Sequence, residues 1–246
     1  MKAKSPLLRR PYLIHFAFRL CVLGFVVAMY FLAPESFGVL VDGRFFQSFG
    51  WLHILWIIWV IDMIRQLIPT KGYLPLGSLK QFRNFYKPIK TLVERAELLP
   101  FIRKNGMDFL KVLGVWTLLV AGIGVLWWMD ILREKELLLL SVVFFVLDLT
   151  FVLFWCPFRV WILKNRCCTT CRIFNWDHMM MFSPIMFIPS FYSISLFGLS
   201  MIKFLIWECC FILYPERFCE ETNAALHCQN CTDKLCRSPG QRASYH

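Results

Sequence analysis

The chain has 246 residues and a net charge of +11, and 58% of its residues are hydrophobic while only 17% are charged. Soluble domains carry about one quarter charged residues, so this composition excludes an ordinary soluble globular protein. The basic residues lie between long apolar runs rather than in a separate basic domain. This distribution argues against nucleic-acid binding and favours contact with a lipid bilayer that has anionic headgroups.

The apolar runs predict the fold class. A bilayer core of about 30 Å needs about 20 apolar residues in a helix, and the runs lack the alternation of a membrane barrel. The sequence therefore predicts an all-α, polytopic helical protein of the cell membrane with about five transmembrane helices. The predicted spans cover residues 12–33, 45–68, 109–129, 137–158 and 185–207. A membrane domain over 1–213 is followed by a predicted Cys-rich C-terminal tail over 214–246.

The first two spans have clear limits in the sequence. The first apolar run follows a short basic N-terminus and is longer than the apolar core of a usual signal peptide, so we expect it to remain as a span. Pro34 follows the first run and Pro69 follows the second, and proline cannot continue a helix without losing a hydrogen bond. These two prolines are therefore predicted helix ends.

The connection between the second and third spans is the longest polar segment. Apolar residues recur at helical spacing over 79–99, which predicts an amphipathic cytoplasmic helix with a basic face. Pro88 is expected to kink this helix or split it in two. Two interpretations remain open: the helix lies along the headgroups, or it packs on the helical bundle.

The fifth apolar run decides where the tail lies. Basic residues concentrate at the N-terminus and in the connections after the second and fourth spans, which places these segments in the cytoplasm. Five full spans then put the C-terminus outside. However, Pro189 and Ser190 interrupt the run. A re-entrant hairpin at that point is the alternative, and it returns the tail to the cytoplasm.

Two groups of four cysteines are the most conspicuous candidate sites. Each group contains a Cys-x-x-Cys pair, the usual way to give two thiolate ligands to one metal ion. The predicted metal ligands are Cys156, Cys167, Cys168 and Cys171 in the first group and Cys219, Cys228, Cys231 and Cys236 in the second. The predicted cofactor is zinc or an iron–sulfur cluster, held by each group alone or by the two pairs together. Disulfides in an external tail, free structural thiols and palmitoylation are the alternatives.

Ionisable residues inside the predicted spans form a second candidate site. A charge there costs about 2.5–3.5 kcal/mol on insertion scales, so each residue needs a partner. Depth along the helices predicts the pairs Arg19–Asp62 and His53–Asp148. Such residues can relay protons or bind a cation, or they only orient helices through buried hydrogen bonds.

Three residues near the fifth span have other predicted roles. Asp177 is a predicted helix N-cap, and His178 is an alternative metal ligand. Lys203 is expected to extend to the outer surface of the membrane.

The sequence supports three hypotheses for function. It contains no nucleophile–base signature and no glycine-rich phosphate loop, which disfavours an enzyme. The leading hypothesis is a membrane protein with a cytoplasmic thiolate metal site, in a structural, redox or electron-transfer role beside a partner protein. The alternative is a small transporter or ion- or proton-conducting protein that uses the Asp, His and Arg residues of its spans. The third is a non-catalytic assembly or interaction subunit.

Overall fold

A computed structural model describes residues 9–41, 44–47, 49–69, 74–89, 94–165 and 167–231. The described residues form helices and turns without strands. The α-helices are α1 (Arg9–Leu32), α2 (Trp51–Gln66), α3 (Leu76–Leu79), α4 (Leu99–Trp128), α5 (Glu134–Leu153), α6 (Asp177–Phe182) and α7 (Phe191–Leu213). Short 3₁₀ turns join several of them, and a π-helix (Phe158–Leu163) follows α5.

Four helices in the described part of the chain are long and apolar enough to cross a membrane. They are Tyr12–Leu32 within α1, and the whole of α4, α5 and α7. The helix α2 has 16 residues and rises about 24 Å, somewhat less than the thickness of the bilayer core. The prediction of a multi-pass helical membrane protein is therefore compatible with the fold.

Helix limits follow local sequence signals. Pro34 begins a 3₁₀ turn (Pro34–Leu40) directly after α1. The helix α4 begins at Leu99, earlier than the predicted span, because Pro100 suits a first helical turn, where the missing N–H costs no bond. At the start of α5, the amide of Arg133 donates a hydrogen bond to Glu136 at 2.9 Å.

The helices α1 and α5 pack antiparallel, and most buried apolar residues of the bundle belong to two clusters. The start of α1 lies beside the end of α5, where the rings of Phe16 and Phe154 are 5.6 Å apart. At the other end of the same pair, the hydroxyl of Tyr30 donates to Glu136 at 2.6 Å. Buried residues of α1, α2, α5, α6 and α7 form the core between them, including Val26, Trp59, Val142, Phe182 and Leu196.

The fifth apolar run folds as a broken, reversing segment. It comprises α6, a 3₁₀ turn (Pro184–Phe187) and then α7, whose N-cap Ser190 accepts a hydrogen bond from the amide of Ser193 at 3.4 Å. The ring of Phe187 packs directly on Gly124, near the C-terminal end of α4. It lies so close that a Cβ atom at position 124 would be only 2.8 Å from the ring. The chain therefore crosses the bundle in short helices, turns at Pro189 and returns through α7.

This reversal brings the tail to the same end of the bundle as the first cysteine group. We call this the cysteine end and define it as residues 74–89, 154–165, 167–176 and 214–231. The guanidinium of Arg217 donates to the carbonyl of Gln81 at 3.1 Å, and the amide of Ile89 donates to the carbonyl of Thr222 at 3.1 Å. The predicted arrangement with the tail on the opposite side from the first cysteine group is thus not the one observed. The re-entrant alternative agrees with the fold, because the break at Pro189 reverses the chain direction.

The amphipathic helix predicted over 79–99 is not formed in the described part of that segment. The one-turn helix α3 ends at Leu79, a 3₁₀ turn covers Arg83–Phe85, and Pro88 forms an isolated antiparallel bridge with Asn223. The physical reason is tertiary: Lys80 and Gln81 are buried in contacts with other segments, and Pro88 interrupts the helical hydrogen bonds. The described residues 74–89 of the connection between α2 and α4 are therefore an irregular part of the cysteine end.

Candidate functional site

An ion pair joins α1 to α5 inside the bundle. The guanidinium of Arg19 donates to the carboxylate of Asp148 at 2.7 Å and to the carbonyl of Phe145 at 2.6 Å. It also lies 4.2 Å from the centre of the Phe145 ring. Arg19 thus pairs with Asp148 rather than with its predicted partner, Asp62.

Asp62 belongs to a second cluster, and His178 lies at the centre of this cluster. The His178 Nε2 atom lies 3.1 Å from Asp62 Oδ2, and its Nδ1 atom lies 2.9 Å from Asp177 Oδ2. Lys203 Nζ lies 2.7 Å from His178 Nδ1 and 2.7 Å from Asp177 Oδ1. His178 and Lys203 are 3% and 2% exposed, so the cluster is a buried contact among α2, α6 and α7.

The hydrogen bonds around Nδ1 of His178 depend on where one proton lies. This nitrogen either accepts a hydrogen bond from the Lys203 ammonium or carries a proton and donates it to Asp177. In the first state His178 is neutral, and its Nε2–H donates to Asp62. In the second state two donors would meet at 2.7 Å, so Lys203 must lose a proton or turn wholly toward Asp177. One proton therefore determines which hydrogen-bond pattern the cluster adopts.

The two clusters together form one network, which we call the charge network. It comprises Arg19, Asp62, Asp148, Asp177, His178 and Lys203. Asp148 lies within electrostatic range of Asp177 and His178, which links the clusters. Two cations face three carboxylates, so the network has one excess negative charge while His178 is neutral. A proton on His178 cancels that charge, which a low-dielectric surrounding favours.

Sequence reasoning found Arg19, Asp62 and Asp148 as intramembrane groups. It gave Asp177 and Lys203 other roles, and the metal-ligand role of His178 stays a prediction. Asp177 does not cap a helix, since its side chain binds Lys203 and His178 instead. Lys203 is buried in α7 rather than at the outer surface. The sequence did indicate that Lys203 has an acidic partner, because a lysine within an apolar run needs an anion. It did not indicate which acidic residue, because the position of Asp177 depends on how the broken helix folds.

His53 lies outside the charge network. Its Nδ1 atom accepts a hydrogen bond from the amide of Gly50 at 3.1 Å, and its Nε2 atom lies 2.7 Å from the carbonyl of Phe45. These two contacts fix the tautomer with the proton on Nε2. His53 therefore satisfies the first turn of α2, and the predicted contact with Asp148 is not formed.

Three buried polar groups extend the same helix faces toward the other end of the bundle. Trp59 Nε1, Ser141 Oγ and Tyr192 Oη make no hydrogen bond to any described residue. Trp59 lies about one turn from Asp62 on α2, and Ser141 about two turns from Asp148 on α5. Tyr192 lies about three turns from Lys203 on α7. Buried polar atoms of this kind are sites that water occupies in proteins.

Lys80 organises the first cysteine group at the cysteine end. Cys168–Thr170 form a 3₁₀ turn, closed by the amide of Cys171 donating to the carbonyl of Cys168 at 3.0 Å. The Lys80 ammonium donates to the carbonyls of Thr169 at 3.0 Å and Cys171 at 2.7 Å. It also lies 5.2 Å from the ring centre of Trp207. The loop is thus fixed around a buried cation.

Burial changes the acid–base behaviour of these groups. It lowers the pKa of Lys80 to about 8, since the charged ammonium loses hydration. It raises the pKa of Cys168 to about 12 and that of Cys171 to about 11. Both thiols are therefore protonated at neutral pH and are weak nucleophiles in this state.

A second buried ion pair fixes the end of α7 to the loop. The guanidinium of Arg172 donates to both carboxylate oxygens of Glu208, and Trp176 Nε1 donates to the same carboxylate at 2.9 Å. Trp207 Nε1 donates to the carbonyl of Arg172 at 2.9 Å. Arg172 is 4% exposed, so this pair is buried between the loop and α7.

The tail cysteines repeat the backbone of the first group. Cys228–Asn230 form a 3₁₀ turn in which the amide of Cys231 donates to the carbonyl of Cys228 at 3.3 Å. Cys231 packs beside Leu74 and Leu79, and Cys219 is buried. Cys236 lies outside the described residues.

Metal binding by either cysteine group stays a prediction. Among residues 9–41, 44–47, 49–69, 74–89, 94–165 and 167–231, no three His, Cys, Asp or Glu side chains are placed to hold a metal ion. The thiols of the first group are nevertheless near one another, since Cys156, Cys167 and Cys171 are within electrostatic range of Cys168. They are not arranged closely enough to surround one metal ion.

The candidate groups therefore occupy two levels of the molecule. The charge network lies inside the bundle, between the long helices, whereas the thiols and Lys80 lie at the cysteine end. No protein-family model, curated protein or solved structure matches this chain.

Proposed function

We propose that this protein is a multi-pass membrane protein that moves protons through its charge network. The observation that carries the proposal is the position of His178, which contacts a carboxylate on one ring nitrogen and a carboxylate and an ammonium on the other. Chains of ionisable groups at membrane depth are typical of proton pathways.

The geometry supports a relay across the His178 ring. Nδ1 accepts a proton from Lys203, and Nε2 passes its own proton to Asp62, which becomes a neutral acid. Lys203 then takes up a new proton from the side of the membrane that supplies protons. Asp62 releases its proton toward the opposite side. No covalent bond other than N–H and O–H changes. The imidazole is suited to this step because its unperturbed pKa lies near physiological pH.

Polar groups lie beyond the charge network: the hydroxyls of Ser141 and Tyr192 can both accept and donate a proton, whereas the indole N–H of Trp59 can only donate a hydrogen bond. Trp59, Ser141 and Tyr192 lie on the network faces of α2, α5 and α7, each nearer the end of the bundle opposite the cysteines. At a rise of about 1.5 Å per residue, Ser141 is about 10 Å and Tyr192 about 16 Å beyond the network residue of its own helix. Water bridging these groups would complete a path through the apolar core.

We infer that the cysteine end faces the cytoplasm. The N-terminus, the long basic connection and the first cysteine group carry most of the basic residues, and these segments or their adjoining helix ends lie at this end. With the tail also at this end, its basic residues agree with the positive-inside rule as well. In this arrangement α2 is a fifth membrane-embedded helix, and the broken segment of α6 forms a short sixth passage.

Proton flux in reconstituted liposomes tests the proposal. The wild-type protein is expected to dissipate an imposed pH gradient, followed with a pH-sensitive dye and a potassium–valinomycin counter-flux. His178→Gln and Lys203→Met are expected to reduce the flux to that of empty liposomes. His15→Gln is the matched control, because His15 is exposed on α1 and lies outside the network.

The proposal is wrong if the wild type gives no flux above empty liposomes in both orientations of the gradient. It is also wrong if His178→Gln conducts as well as His15→Gln while both variants are folded by circular dichroism. Flux that is lost equally in His178→Gln and in His15→Gln would indicate damage to the bundle rather than removal of a relay.

A thiolate metal site is the second candidate function, and one observation favours it. The turns Cys168–Thr170 and Cys228–Asn230 have the same 3₁₀ form and lie at the same end of the bundle. Two such turns are the usual frame for a four-thiolate zinc or iron–sulfur site. The role would be structural or redox.

Metal analysis of protein purified without oxygen tests this candidate. One zinc per chain, or iron with broad absorption near the visible range, is expected in the wild type. Cys171→Ser and Cys231→Ser should each lose the metal, whereas Cys21→Ser, which changes an exposed thiol on α1, should keep it. Equal metal content in all four proteins, or none in the wild type, would exclude the site.

A further inference from the structure

An apolar cavity lies between α4 and α5, beside the first cysteine group. Its volume is about 310 Å³, at the lower end of the range for small-molecule and lipid-chain sites. Its walls are mainly aromatic and aliphatic, with Trp116 and Leu119 from α4 and Phe144 and Phe151 from α5. The proposed proton transfer from Lys203 through His178 to Asp62 does not pass through this cavity, although Asp148 and Asp177 of the charge network line its deep end.

The cavity reaches the surface that the bilayer would cover. Leu119 lines it and is 41% exposed, although it lies within one of the four helices long enough to span a membrane. An apolar cavity that extends to a lipid-facing helix surface is open to a hydrocarbon chain from the side. Water has little affinity for such walls, so a chain is the occupant that the lining favours.

Arg159 supplies a positive charge at the cysteine end of the cavity. It lines the cavity at the start of the π-helix, one turn after Cys156. Its guanidinium lies within electrostatic range of the thiols of Cys156 and Cys168, and none of the ion pairs among the described residues includes it. A guanidinium matches a phosphate oxygen pair well, because it presents several donors in one plane.

Two exposed tryptophans mark the headgroup level at the same place. Trp155 and Trp161 are 46% and 68% exposed, and their ring centres are 5.0 Å apart. Exposed tryptophans in membrane proteins concentrate at the boundary between hydrocarbon and headgroups. Arg159 lies between them in sequence, so its charge is at the depth of lipid phosphates while the cavity extends toward the hydrocarbon.

The charged residues at the deep end of the cavity already have partners, so they do not offer a second binding site for a charged ligand group. Asp148 and Asp177 line it, but each is already paired, Asp148 with Arg19 and Asp177 with Lys203, at 2.7 Å in both cases. The charged part of a ligand therefore belongs at Arg159, and the apolar part belongs among the aromatic walls.

We propose that this cavity binds one anionic phospholipid, with its phosphate on Arg159 and one acyl chain between α4 and α5. The charge at Arg159 selects an anionic over a zwitterionic headgroup, and the apolar walls require the chain. This inference does not depend on the proposed proton transfer, because it concerns binding alone. A chain in the cavity would reach Asp148 and Asp177, so the bound lipid would also shield these carboxylates from water.

Native mass spectrometry of the detergent-solubilised full chain tests the site. Phosphatidylglycerol is expected to bind with a stoichiometry of one, and phosphatidylcholine with the same chains should bind about tenfold more weakly. Arg159→Gln should lose that preference. Arg133→Gln is the matched control, since Arg133 is exposed at the opposite end of the bundle. Leu147→Trp, which fills the cavity from α5, should exclude both lipids.

Two further outcomes bear on the inference. Glycerol phosphate, which has the charge without the chain, should not displace phosphatidylglycerol, and displacement by it would overturn the role of the cavity. Equal affinity of the wild type for both lipids, or unchanged selectivity in Arg159→Gln, would overturn the role of Arg159. Both variants are compared at matched circular dichroism and size-exclusion profiles, so that a folding defect is recognised.

Discussion

Arg19 of α1 and Asp148 of α5 form an ion pair at 2.7 Å, with the Arg19 side chain 15% and the Asp148 side chain 28% exposed. The guanidinium also donates to the carbonyl of Phe145 and lies against its ring, so one arginine makes three contacts with two residues of α5. Since α1 contributes few buried side chains to the core, we infer that this pair is a main determinant of how α1 is attached.

Removal of Arg19 alone should therefore be more harmful than removal of both partners. Arg19→Leu leaves Asp148 without its cation in an apolar surrounding, and we expect a loss of about 3 kcal/mol in unfolding free energy. Arg19→Leu/Asp148→Leu should recover at least about 1 kcal/mol of that loss. Chemical denaturation in mixed micelles measures both values. Additive losses in the double variant would show that the pair has no coupling.

Glu208 of α7, which binds Arg172 and Trp176 of the cysteine end, is expected to be highly sensitive to substitution. Glu208→Leu strands the buried guanidinium of Arg172 and the indole N–H of Trp176, which should lower the unfolding free energy by about 3–5 kcal/mol. Glu94→Gln is the control, because Glu94 is an exposed acidic residue in the connection between α2 and α4. Thermal unfolding in detergent compares them. A shift of the unfolding temperature equal in the two variants would contradict the buried role of Glu208.

Stability should have a maximum between pH 8 and 9. The pKa of Lys80 is about 8 in the folded chain against an ordinary 10.5, so only the unfolded chain keeps this proton between those values. Stability therefore rises with pH from 8. The pKa values of Cys168 and Cys171, about 12 and about 11, lie above their ordinary 9.0. Above pH 9 the folded chain holds protons that the unfolded chain has lost, and stability falls.

Lys80→Met separates the two effects. The variant should lose the contribution of Lys80 to stability, which rises by about 1 kcal/mol between pH 8 and 9, and keep the fall above pH 9. Urea titrations at half-unit pH steps under reducing conditions would show this difference. A rise of the same size in Lys80→Met would mean that another group is responsible.

The N-terminus, the first cysteine group and the tail should be on one side of the membrane. A fluorescent protein that matures only in the cytoplasm, fused to the C-terminus, is expected to be bright, and a periplasmic phosphatase fused there should be inactive. Fusions after Asp130, in the turn between α4 and α5, should give the opposite result. A dark C-terminal fusion with an active phosphatase would contradict the return of the chain through α7.

The sequence by itself predicted an all-helical fold with apolar helices of membrane-spanning length, together with some of the helix ends. Apolar runs of spanning length require helices in a bilayer, because each backbone N–H must find its partner within the same segment. Pro34 and Ser190 mark helix boundaries for local reasons, through ring geometry and side-chain capping, so both signals are visible without a fold.

Only the tertiary structure decided which charges meet and where the tail lies. Depth along a helix allowed Arg19 to pair with Asp62, but the neighbour of α1 is α5, which offers Asp148 instead. The length of the fifth apolar run did not reveal that it reverses at Pro189. That reversal places Lys203 beside Asp177 and returns the tail to Lys80 and the first cysteines. Pairing of charges depends on which helices are adjacent, and packing of distant segments sets that adjacency, whereas periodicity and composition describe each segment alone.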